Sequence, residues 1–162
     1  MKKGILMAVL LLVTTMFAQT SQSVNFKINL YSVQSLVINP TQTEVELNYQ
    51  SKEDYLNGVS TIQNDHLEIY STGGFKIQAQ STDLTNPEEN IDLSSVTLVP
   101  SNGSNSIPGS TYTTSTLSNN PVTIIESNIG GVDKNFSIEY IGAGSNQYVN
   151  KYHSGEEPTT YT

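Results

Sequence analysis

In short runs along this chain, apolar side chains fall on every second residue, a period that suits a strand with one buried face and not a helix. Val24, Phe26, Ile28 and Leu30 share one face of a first predicted strand, and Val45, Leu47 and Tyr49 mark another after the break at Asn39-Pro40. Leu67 and Ile69 continue the pattern up to the turn residues Gly73-Gly74, after which Phe75, Ile77 and Ala79 resume it. The stretch "HLEIYSTGGFKIQAQS" is therefore expected to be a β-hairpin. Further runs follow at "SSVTLVP", "STYTTSTL", "PVTIIES" and "KNFSIEYIG", the last with Phe136, Ile138 and Tyr140 on one face. The spacing predicts an all-β fold, an immunoglobulin-like antiparallel β-sandwich of about eight or nine strands. Its expected core is Phe26, Ile28, Val45, Leu47, Leu67, Ile69, Phe75, Ile77, Ile124, Phe136 and Ile138.

Residue usage agrees. Thr, Val, Ile and Tyr suit a pleated, half-buried surface, and the abundant Asn, Gly and Ser suit the turns between strands. One helical turn is expected over Lys52–Asn57, where Ser51 precedes Asp54 by three residues in a capping box and Asn57-Gly58 ends it. "STDLTNPEENIDLSS" (81–95) and "SNGSNSIPGS" (101–110) lack apolar periodicity and are expected to be surface loops at one end of the sandwich. No internal repeat or linker is visible.

The N-terminus reads as a secretion signal over residues 1–18. Lys2 and Lys3 form a positive start, Gly4 to Phe17 an apolar run, and Ala18 a small residue before a cut at Gln19. The remaining chain, 19–162, is expected to be one domain with no membrane-spanning segment, exported to the periplasm, cell surface or medium. With no cysteine in the chain, disulfides cannot supply its stability, so packing and backbone pairing must. After the signal, five lysines face fifteen acidic residues, and arginine is absent. Such a surface repels phosphate backbones and anionic lipid and lacks the guanidinium fork that grips phosphate. Nucleic acid is therefore not an expected partner.

Residues suited to catalysis are sparse. His66 and His153 are the sole imidazoles; His66 is expected on the solvent side of its strand and His153 in a turn. The pairs Glu88-Glu89 and Glu156-Glu157 are adjacent along the chain, whereas paired catalytic carboxylates converge from separate elements. A calcium site at "NPEENID" would use the oxygens of Asn86, Glu88, Glu89 and Asp92, without the spacing of an EF-hand loop. No Gly-rich phosphate loop or zinc spacing occurs, so no cofactor is expected. Tyr112, Tyr148, Tyr152 and Tyr161 are the candidate ligand contacts, since a tyrosine ring stacks on sugars and its hydroxyl adds a hydrogen bond.

"DYLNGVSTIQNDHLEIYSTGGFKIQAQS" resembles the WxL-type surface domains of bacteria and, more loosely, fimbrial and spore-coat-like β-sandwich proteins. Phe75-Lys76-Ile77 stands where that family has Trp-x-Leu, and Thr160-Tyr161-Thr162 matches the opening of its second, threonine-rich signature. The resemblance implies an all-β extracellular domain used for attachment at a cell surface. The family's peptidoglycan binding is not carried over, because neither tryptophan is present.

These readings converge on an exported, non-catalytic structural or adhesive subunit, partnered by other surface or pilus-type subunits or by a cell-surface glycan. Assembly would proceed by strand addition, with "SQSVNFKINLY" as a donor-like strand. The rival readings are a carbohydrate-binding module with clustered exposed tyrosines and a small exported enzyme with His66 or His153 in a cleft beside a carboxylate. The final "HSGEEPTTYT" leaves either a short, frayed last strand or a sandwich with one open edge.

Overall fold

A computed structural model describes residues 22–155 and 158–162. The expected signal and its cleavage point lie outside these. The chain divides into two units, Met1–Leu30 and Tyr31–Thr162.

Of the first unit, residues 22–30 form neither helix nor strand, so the strand expected there is absent. Phe26 and Ile28, expected in the core, are 91% and 82% exposed, and Val24 and Leu30 are exposed as well. Period-two alternation marks a segment able to form a strand; a partner strand is still needed to bury it.

The second unit is all-β, built of antiparallel sheets in an arrangement consistent with a β-sandwich. Its strands are β1 (Gln34–Ile38), β2 (Val59–Ser71), β3 (Phe75–Ala79), β4 (Leu84–Thr85), β5 (Asn90–Ile91), β6 (Val96–Asn102), β7 (Thr111–Tyr112), β8 (Ser115–Thr116), β9 (Val122–Ser127) and β10 (Gly131–Gly142). A five-stranded sheet has the order β1-β2-β10-β6-β8, a three-stranded sheet β3-β9-β7, and β4 pairs with β5 alone. The helical turn α1 (Lys52–Asn57) carries the expected box, with the Ser51 side chain accepting from Asp54 N–H and the Asp54 carboxylate from Ser51 N–H.

β2 and β3 do not form the expected hairpin. β2 joins the five-stranded sheet and β3 the three-stranded one, so the Thr72–Gly74 connection crosses between sheets. Short-range alternation cannot distinguish the two outcomes, because both reverse the chain and both keep Leu67, Ile69, Phe75 and Ile77 facing one core.

That core takes Leu67 and Ile69 from β2, Leu98 from β6, Phe136 and Ile138 from β10, Phe75 and Ile77 from β3, and Ile124 and Ile125 from β9. Phe75 and Phe136, one from each sheet, lie 6.1 Å apart in a tilted pair. Three expectations need correction. Val45 and Leu47 are only half-buried, and among the described residues their segment pairs in no ladder. Leu47 and Tyr49 lie against Gly142 instead, and the Tyr49 hydroxyl donates to Ala143 C=O at 2.8 Å. Ile107, in the loop expected to be solvated, is 2% exposed and joins the core. Finally, residues 81–95 are not featureless, since they hold β4, β5 and a 3₁₀ turn over Leu93–Ser95 capped by Asp92.

Gly58 closes α1 with φ 83°, and a Cβ there would strike the backbone of Gly142, in the last pair of the β2–β10 ladder. Both a left-handed conformation and a backbone contact oppose a side chain. Gly58→Ala is expected to lower stability by about 2 kcal/mol, read as a reduced urea midpoint at unchanged slope.

Candidate functional site

His66 is buried, not solvent-facing as its neighbours suggest; it is 5% exposed. The cause is a bulge. Asp65 has φ 49°, and the β2–β10 ladder skips between Phe136↔Leu67 and Ile138↔Gln63. The extra residues break the alternation, so that His66 and Leu67 are both buried. His66 Nδ1–H donates to Gln42 Oε1 at 3.1 Å, and the Tyr140 hydroxyl donates to Nε2 at 3.0 Å. This pairing assigns the neutral Nδ1–H tautomer. Burial pushes the imidazole below its ordinary pKa and the Tyr140 hydroxyl above its own. His66 is thus a neutral imidazole bonded at both ring nitrogens, to Gln42 and to Tyr140.

His153 has a different setting. Its Nδ1 is 2.8 Å from Glu88 Oε2 and its Nε2 3.3 Å from Glu89 Oε1. Lys151 pairs with Glu89, whose carboxyl is held below the ordinary range chiefly by that contact. The Tyr161 hydroxyl donates to Lys151 C=O at 2.8 Å and lies 3.0 Å from Glu89 Oε1. Thr85 and Thr162 exchange backbone hydrogen bonds at 3.1 Å each. Together these contacts clasp the chain's last residues to β4 and β5. The expected terminal strand is thus a single bridge tied down by side chains. Glu88 and Glu89 approach opposite ring nitrogens of His153, so the three cannot point at one ion, and among the described residues no three His, Asp or Glu side chains are grouped as a metal cage. Of the residues considered for calcium, Asp92 caps the Leu93–Ser95 turn and Asn86 Oδ1 accepts from Glu88 N–H.

The four candidate tyrosines occupy separate settings. Tyr112 packs on Phe136 and donates to Asn102 Oδ1 at 2.6 Å. Tyr148 donates to Ser95 Oγ at 2.6 Å and meets Tyr49 edge-on, with centroids 4.9 Å apart. Tyr161 belongs to the clasp, and Tyr152 is 53% exposed. Two shallow open depressions are lined respectively by Glu44, Glu46, Asn48, Thr61 and Gln63 and by Gln34, Gly74, Phe75, Lys76, Glu126, Ser127 and Asn128. Neither includes His66 or His153.

The feature that sequence reading missed is the edge strand β1. It has no charge, proline or glycine, and it ends the five-stranded sheet. Val33 C=O accepts from Thr72 N–H at 3.0 Å, and Asn39 N–H donates to His66 C=O at 2.8 Å. Odd-numbered residues thus face β2, and by the alternation of an antiparallel ladder Gln34, Leu36 and Ile38 turn their N–H and C=O groups outward. Among the described residues no backbone group pairs with them. Leu36 and Ile38, opposite the buried Ile69 and Leu67, remain 50% and 53% exposed. The other edges of the two larger sheets are defended: β7 and β8 have two residues each, and β3 carries Lys76, paired with Glu126 at 3.1 Å. "SLVI" was a visible signal for a strand, but its position at an edge depends on long-range pairing.

Compared with known proteins, the chain matches no family model, no curated protein and no solved structure.

The folded pKa of His66 lies below its ordinary value of 6.5, so below that pH unfolding takes up a proton. This group's stabilising contribution is complete above about 6.5 and drains away as pH falls towards the folded value. Asp65 and Asp92, also held low, lose their contributions only in the carboxylate range. His66→Gln is accordingly expected to flatten the decline of melting temperature on the acid side of about pH 6.5, as thermal melts of both proteins across that range would show.

Proposed function

We propose that this protein is an exported, non-catalytic structural or adhesive subunit with an immunoglobulin-like sandwich, which assembles through its strands. One observation carries the reading: β1 is an uncharged edge strand whose outward backbone groups are unpaired among the described residues and whose core-side Leu36 and Ile38 are half-exposed. An uncharged edge with unpaired backbone groups is a template for another strand, and a protein selected to stay monomeric blunts it. Here the other three edges of the two larger sheets are blunted and this one is not. The alternating apolar residues of 24–30 supply a second strand-forming element in the same chain. The likeness of the sequence to WxL-type and fimbrial surface domains supports the same role. So does the location of both histidines: His66 is held neutral in the sheet, and His153 serves the C-terminal clasp.

The exported chain is expected to self-associate reversibly at micromolar concentrations, roughly the affinity of a small strand-addition interface. Sedimentation velocity from about 1 to about 100 μM measures it. A single monomeric species across the range rules the reading out.

A further inference from the structure

The assembly reading leaves open which strand meets β1, and the structure narrows this to one occupant. We infer that residues 22–30 of a second copy pair with the open edge of β1, making each copy both donor and acceptor. The inference deepens the assembly reading and rests on it.

Three observations select this segment. The first is pattern. Val24, Phe26, Ile28 and Leu30 are all at least 74% exposed and share one face when extended, while Asn25, Lys27 and Asn29 share the other. Against β1, the apolar face would continue the core-side row of Leu36 and Ile38, and the polar face would meet solvent. Val24 to Leu30 spans about 20 Å as a strand, enough to cover all of β1.

The second is charge. Lys27 is the one charged residue of the segment, whereas residues 31–162 carry four lysines against fifteen acids. A donor bearing a single positive charge is drawn to an acidic body. Two β1 edges pairing with each other across a twofold axis would bring no opposite charge to the contact, since β1 carries none.

The third concerns pairing within one chain. A hairpin of 22–30 onto its own β1 would need Tyr31-Ser32-Val33 as its loop. That loop has no Gly, Asn, Asp or Pro, and β-branched Val33 is poorly suited to the positive φ that short hairpin loops demand. Val33 is also held to β2, its N–H donating to Thr72 Oγ1 at 2.9 Å. The edge is therefore better filled by another copy.

Donor and acceptor are different surfaces, so the contact does not close on itself and repeats head to tail. Complementation tests this. The exported chain lacking residues 22–30 keeps its acceptor edge and loses its donor. Ile38→Lys keeps the donor and places a charge on the acceptor. Leu36→Pro removes an outward N–H that β2 does not use, and serves if Ile38→Lys fails to fold. By sedimentation velocity, the unaltered chain should form a concentration-dependent series of oligomers, and each variant alone should be monomeric. Mixed one to one, deletion and edge variant should form heterodimers and nothing larger. Phe26→Ala should weaken the unaltered chain's association by roughly 100-fold. If the deletion variant still self-associates while the edge variants do not, β1 pairs with itself, which overturns this inference and leaves assembly through β1 standing. If both still associate, another surface is used and the inference is wrong. If the unaltered chain is monomeric throughout, the assembly reading fails and this inference with it.

Discussion

The pairing of β10 with β2 on one side and β6 on the other is the contact on which the rest of the second unit depends. β10 is central in the five-stranded sheet, and its alternate residues Phe136, Ile138 and Tyr140 form the floor of the core. Without a disulfide, the domain's stability rests on this ladder and on the apolar layer above it. The bulge at Asp65 extends the ladder's influence. Asp65 N–H donates to Ser137 Oγ at 3.1 Å, and its carboxylate accepts from Ser104 N–H and Oγ, both at 2.7 Å. These contacts pin the 103–110 loop against the sheet, and that loop carries Ile107 into the core. One left-handed residue thus sets the packing of His66, the course of a loop and the closure of one end of the core.

What the sequence revealed, and what it did not, follows from the range of each interaction. Burial alternation is local, so Leu67, Ile69, Phe75, Ile77, Ile124, Phe136 and Ile138 were correctly placed in the core. α1 was found to the residue because a capping box and a terminal glycine are local chemistry. His66 was misplaced because its burial depends on a bulge whose partner lies about seventy positions later in the chain. The β2–β3 connection was misread because hairpin and sheet-crossing turn look alike over ten residues. Phe26 and Ile28 were misassigned for a related reason, since alternation shows that a segment can pair and carries no information about what it pairs with. The clasp of His153, Glu89, Lys151 and Tyr161 joins residues brought together only by the folded β4–β5 hairpin.

A sheet built outward from β10 also explains why its two edges differ. On the β6 side, the last strand is two residues long and the ladder simply runs out. On the β2 side, β1 forms five consecutive pairs, with Leu36 opposite Ile69 and Ile38 opposite Leu67. The same apolar row that makes β2 a good core strand therefore continues into β1 and stops half-covered. Extending the row by one strand would remove Leu36 and Ile38 from water and satisfy the outward N–H and C=O groups together. Both gains come from one contact, because Leu36 and Ile38, whose backbone groups face outward, also turn their side chains to the core side.

That coincidence bears on strength as well as on location. Strand addition gives backbone hydrogen bonds of modest net worth, about 1 kcal/mol each, because water already satisfies an exposed edge. Specific affinity then has to come from side chains, and an aromatic residue shielded from water contributes most. Phe26, at 91% exposure, has nearly all of its apolar surface still to bury. In an extended segment it falls on the same face as Val24, Ile28 and Leu30, so seating one of them on the core-side row seats all four. In the proposed pairing the edge would supply direction and register, and Phe26 with its three neighbours the apolar burial. With four lysines against fifteen acidic residues over 31–162, two copies carry like net charge, and such a contact would need both to offset it.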